Sequence, residues 1–97
     1  MTQTLDNPTV VFGDVDEMFD DDDLWAVIVW NDDVNTFEHV IRALVEILQH
    51  TTSQAERLAM LVHTSGKAVV GIRPKPEATA AVQALHRRKI QASMDQA

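Results

Sequence analysis

Four side chains in this sequence stand out as candidates for chemistry: Asn31, Asp32 and Asp33 in a row, and His63 thirty residues beyond them. Two carboxylates and an imidazole can hold a divalent metal and activate water, so a small metal-dependent enzyme is the catalytic reading of the set. That reading needs further ligands, and no other His or carboxylate clusters with these. His39, His50 and His86 lack metal-ligand spacing such as an i,i+4 pair, and are read as surface or rim residues. No cysteine is present, which removes thiolate nucleophiles, thiolate metal sites and disulfides. There is no glycine-rich phosphate loop and no Gly-x-Ser-x-Gly elbow. Taken singly, Asn and Asp ahead of a helix are turn formers and N-caps. A histidine near a helix C-terminus meets end carbonyls or solvent. A shared role requires a fold that brings the four together.

The elements that must position them are legible. Leu24 to Trp30, LWAVIVW, is rich in β-branched and aromatic residues and short enough for a strand. The polar run 31–35 then turns, and a helix is expected from Asn35 or Thr36. Phe37, Val40, Ile41, Leu44, Ile47 and Leu48 form its buried stripe. Glu38–Arg42 and Arg42–Glu46 have i,i+4 spacing on its exposed side. Ser53-Gln54-Ala55-Glu56 has the pattern of a capping box that opens a second helix. Ala55, Leu58, Ala59 and Val62 face inward from it, and Gly66 supplies a left-handed stop. Lys67 to Arg73 reads as a strand broken by Pro74 and Pro76. A third helix is expected from about Glu77 to Arg88, with acid at its start and bases at its end, and Ile90 to Met94 as a final strand. The order β-α-α-β-α-β predicts an α+β sandwich, three helices against a three-stranded, mostly antiparallel sheet. In it the end of the second helix can lie beside the start of the first, which would place His63 near Asn31 to Asp33.

Charge divides the chain. Residues 1–23 hold eight of the fifteen acidic groups and no Lys or Arg, ending in four consecutive aspartates. A disordered acidic extension over 1–23, followed by one core domain over 24–97, is the expected organisation. Val10, Val11, Phe12, Met18 and Phe19 give the extension some apolar grip for a partner. Calcium binding there is disfavoured, because the alternating ligands and glycine of an EF-hand loop are missing. No basic groove suits nucleic acid. No apolar run approaches the ~20 residues of a membrane helix, and the N-terminus has no basic n-region or long apolar stretch of a secretory signal. A soluble, cytoplasmic protein is expected.

Val-Ile-Val-Trp-Asn-Asp-Asp at 27–33, Val40-Ile41, and Val62-His63-x-x-Gly66-Lys67-Ala68 together resemble the ClpS family. These are adaptors of the Clp ATP-dependent protease that recognise N-degrons. The resemblance covers about residues 24–94. It implies an adaptor, not an enzyme, with no cofactor and no metal. The adaptor binds the free α-amino group and bulky hydrophobic first side chain of a substrate and delivers it to a Clp AAA+ unfoldase of the ClpA or ClpC type. Asn31, Asp33 and His63 then carry the acceptors for the α-ammonium, and Asp32 supports them from behind. Asn35, Phe37, Val40, Ala59 and Val62 line the side-chain pocket, with Ile90 or a neighbour contributing from the last segment. The acidic extension is implicated in delivery.

The sequence also departs from the family pattern. Asn35-Thr36-Phe37 stands where many members carry Thr-Pro-Met, and Ala59 replaces a common Met. Met adapts its shape and Phe does not, so a reshaped pocket with narrowed preference is expected. Ala81 occupies the position of a lysine that the family uses towards the unfoldase. The alternative implied by these departures is a Clp-docking module of the same fold with altered or lost N-degron binding.

Overall fold

The LWAVIVW run forms β1 (Leu24–Trp30), the middle strand of a sheet ordered β2-β1-β3. The structure, a computed structural model, describes residues 23–97; apart from Asp23, the expected acidic extension lies outside them. Its backbone pairs on both edges, and Leu24, Ala26, Val27 and Val29 are buried at both odd and even positions, which fits a sequence apolar almost throughout. Both β2 (Lys67–Pro74) and β3 (Ala92–Gln96) pair antiparallel with it, Trp30 facing Lys67 and Val29 facing Ala92. An irregularity between Val27 and Ile28 shifts the β1–β2 register by one residue.

Helices α1 (Phe37–Leu48), α2 (Thr52–Ser65) and α3 (Lys75–Arg87) complete the fold. Val27, Val29, Ala68 and Val70 of the sheet share one core with Leu44, Leu48, Val62 and Leu85 of the helices. Next to them in sequence, Val69 remains 48% exposed and Trp30 40%. Alternation of period two thus puts one sheet face under the helices, and burial of each large apolar side chain stabilises the fold by about 1.5–3 kcal/mol. The expected α+β sandwich is what forms, with every strand pairing antiparallel.

Several boundaries differ from the sequence reading. Helix α1 is capped by Thr36, whose Oγ1 accepts the His39 N–H at 3.0 Å. Phe37 is therefore its first residue and stays 37% exposed instead of joining the buried stripe, while Ala43 is fully buried. Helix α2 uses an earlier capping box, Thr51 with Gln54, each side chain bonded to the other's backbone N–H at 3.1 Å. A start at Ser53 would forgo these bonds and the helical bond from Ala55 N–H to Thr51 O. Pro74 and Pro76 open α3 as well as ending β2, because proline suits the first turn where N–H groups have no partner. Strand β3 begins at Ala92; Ile90, 2% exposed, belongs to the turn and the core. Glu46 pairs with Arg88 at 2.7 Å, tying α1 to the end of α3, and not with Arg42.

Candidate functional site

One backbone bond closes the thirty-residue gap between the candidate residues. Asn31 N–H donates to the Gly66 carbonyl at 2.9 Å, just beyond the Trp30–Lys67 pair of the β ladder. Gly66 has φ 91°, the left-handed turn that ends α2. His63 lies on the last turn of that helix. The end of β1 and the end of α2 are thereby clamped together, and the loop to α1 leaves from the clamp.

Asp32 shapes that loop. Its Oδ1 accepts the Val34 and Asn35 backbone N–H groups and its Oδ2 accepts Asn35 Nδ2, each at 2.8 Å. The Asn35 amide also donates to the Lys89 carbonyl at 2.8 Å, joining the loop to the turn before β3. The Asp32 carboxyl is held below the usual carboxylate range, chiefly because the Asn35 backbone N–H donates to it. The Asn35 side chain, the Val34 N–H and nearby His39 act in the same direction, against partial desolvation. Its charge is spent organising its own neighbours, a role behind the surface residues on either side.

All nine residues singled out from the sequence line one cleft of ≈ 500 Å³. Asn31, Asp33 and His63 are exposed and form its polar end. Among the described residues, no hydrogen bond engages their side chains, and none of the residues lining the cleft is Lys or Arg. Ala59 and Val62, 2% and 4% exposed, form the floor, with Val40 and Asn35 half-buried and Phe37 at the edge. Sequence reading missed Thr36 and Met60, which also line it. Met60 is 49% exposed, one position off the buried stripe of α2, and an apolar residue so placed beside polar candidates was the available signal. Ile90 does not reach this cleft; it lines a separate one of ≈ 580 Å³ with Trp30, Lys89 and Ala92. His39, His50 and His86 each bond a backbone carbonyl, of Arg88, Val70 and Ala92 in turn, and so act as ties between elements, not as bare rim residues. No three His, Asp or Glu side chains gather as a metal site among the described residues.

The cleft thus offers unpaired acceptors and negative charge at one end and an apolar hollow behind them. The family model described as ATP-dependent Clp protease adaptor protein ClpS matches residues 20–95. The chain belongs to the ClpS family. It is 38% identical over 73 residues to the ClpS adapter protein of Corynebacterium efficiens, covering 75% of this chain and 72% of that one. Against the ClpS adapter of Corynebacterium diphtheriae it is 39% identical over 72 residues, 74% of this chain and 64% of the relative. Against that of Mycobacterium tuberculosis it is 32% identical over 75 residues, covering 77% and 74%. The fold is similar to that of Agrobacterium tumefaciens ClpS2, solved bound to L-phenylalaninamide, with a TM-score of 0.73, 22% identity, and coverage of 78% of this chain and 99% of that one. No helix among the described residues is long and apolar enough to cross a membrane.

Proposed function

We propose that this ClpS-family adaptor binds the free α-amino group and bulky hydrophobic first side chain of N-degron substrates and delivers them to a Clp AAA+ unfoldase. The observation that carries the reading is the pairing of three acceptors, engaged by none of the described residues, with a hollow whose lining holds no Lys or Arg. An α-ammonium has three N–H donors and a full charge, and stripping its water is costly unless acceptors replace it. Asn31 Oδ1, the Asp33 carboxylate and a neutral His63 ring nitrogen supply three. Two of these bonds are to uncharged acceptors and one is to a carboxylate, all charge-assisted on the donor side and therefore strong. Asp32 holds the loop and adds negative potential without being consumed as a direct partner. The first side chain enters the hollow over Ala59 and Val62, between Phe37 and Val40. A protein of similar fold, Agrobacterium tumefaciens ClpS2, is bound to L-phenylalaninamide, an aromatic residue with a free amine, which supports this class of ligand. An open cleft beside Phe37 and Ala59 favours a reshaped pocket over a docking module that has lost the ligand.

An acetylated terminus keeps one N–H and no charge. Each acceptor left dry costs about 1–3 kcal/mol, so acetylation should weaken binding roughly a hundredfold or more. Fluorescence anisotropy with a Leu- or Phe-initiated peptide and its acetylated twin measures this. Equal affinity for the twins refutes the reading. Delivery is read from faster degradation of a reporter bearing the same N-terminus by a Clp unfoldase and its peptidase when the adaptor is added. Removal of residues 1–20 should spare peptide affinity and slow that degradation.

A further inference from the structure

Asn35 and Asp32 are the two half-buried polar side chains that line the cleft beside the exposed Asn31, Asp33 and His63, and Asp32 already accepts three hydrogen bonds within its own loop. A primary amide carries two N–H donors and one acceptor oxygen. Both donors are already committed, one to Asp32 Oδ2 and one to Lys89 O, each at 2.8 Å. The two partners are a carboxylate and a backbone carbonyl, which accept and cannot donate. The flipped amide would set its oxygen against both of them, so the network fixes which way round the group sits. What Asn35 has left to offer is Oδ1, and among the described residues nothing donates to it. The other groups lining the hollow are Thr36, whose Oγ1 accepts the His39 N–H, and Phe37, Val40, Ala59, Met60 and Val62, which carry no side-chain N–H or O–H.

We infer that Asn35 is a specificity-determining residue, and that its free Oδ1 selects first side chains that carry a ring O–H or N–H, tyrosine above phenylalanine and tryptophan above leucine. The inference rests on the proposed N-degron reading and names its substrate class. A hydrocarbon side chain that fills the hollow takes water away from Oδ1 and returns nothing. A buried acceptor left in that state costs about 1–3 kcal/mol. A phenol hydroxyl replaces the lost water. Sites built to hydrogen-bond a substrate hydroxyl reject the analogue without it far better than apolar pockets distinguish sizes. The same two donor bonds keep the oxygen in place, because Asp32 holds the amide from within its own loop and Lys89 from the turn before β3.

The test uses the full chain and four peptides identical but for the first residue: tyrosine, phenylalanine, 4-fluorophenylalanine and leucine. Each is paired with its acetylated twin. Tyrosine is expected to bind at least about fivefold more tightly than phenylalanine, the lower end of the stated cost. The fluoro ring, close to tyrosine in size but without a donor, is expected to follow phenylalanine. Asn35→Ala is expected to bring the tyrosine-to-phenylalanine ratio near one. If phenylalanine equals or exceeds tyrosine, or the fluoro ring follows tyrosine, while acetylation still abolishes binding, the selectivity inference fails and the amino-terminus reading stands. If acetylation changes nothing, both fail. The comparison on the unaltered protein decides the matter even if Asn35→Ala does not fold.

Discussion

Replacing Asp32 with alanine removes three hydrogen bonds at once, those from the Val34 N–H, the Asn35 N–H and Asn35 Nδ2. Val34 is 85% exposed, so water re-solvates its N–H at little cost. The two Asn35 donors are part-buried, and each is worth about 1 kcal/mol. Asp32→Ala should therefore destabilise the domain by about 2 kcal/mol, a fall in Tm of roughly 8–16 °C for a domain of this size. Asp32→Asn rescues it only in part: with its oxygen on the backbone N–H groups its NH2 meets the Asn35 NH2 donor to donor, and flipped it gives up the two backbone bonds. The effect also carries a pH signature. The folded carboxyl titrates below its ordinary value, so its contribution is complete above the usual carboxylate range of about 3.9 and disappears as pH falls through the lower folded value. Urea denaturation of both proteins from neutral to strongly acidic pH measures the gap. It should be widest at neutral pH and close below pH ~4. A variant within ~0.5 kcal/mol of the parent, or a gap that is constant with pH, would refute the assignment of Asp32 as the organiser of the loop.

Other consequences are simpler. Gly66→Ala forces a side chain into φ 91°, where the new Cβ has nothing within 4 Å, so the cost is backbone strain alone, about 1–2 kcal/mol by urea denaturation. Leu85→Ala empties a fully buried site of the core and should cost about 2–5 kcal/mol in the same assay, enough to threaten folding of so small a domain. His63→Ala should weaken peptide binding about fivefold or more by removing one acceptor of the ammonium, about 1–3 kcal/mol, read by the same anisotropy assay. An unchanged affinity would remove His63 from the acceptor set.

The fold was legible because its signals are local. An apolar strand, two strongly patterned helices, Gly66 as a helix stop and two prolines that end a strand can be placed without knowing what they pack against. The boundaries that moved did so where two local signals overlapped. Thr51 and Ser53 both head a capping pattern, and only the helical bond back to Thr51 decides between them. Ile90 reads as strand by composition, but the turn at Arg88 and Lys89, with Lys89 at φ 67°, tucks it into the core first. The cleft was half legible. Residue types named its polar end, and the family resemblance named its floor. The bonds that set their geometry, Asn31 to Gly66 and Asn35 to Lys89, join positions 35 and 54 residues apart and leave no trace in periodicity or propensity.

The most direct measurement is a chemical-shift map of the ¹⁵N-labelled protein titrated with a peptide bearing a free aromatic first residue. Shifts confined to residues 31–40 and 59–66, absent with the acetylated peptide, are the predicted result. Shifts centred on the exposed sheet face around Trp30 and Val69, or unchanged by acetylation, would contradict a grip on the chain's amino end.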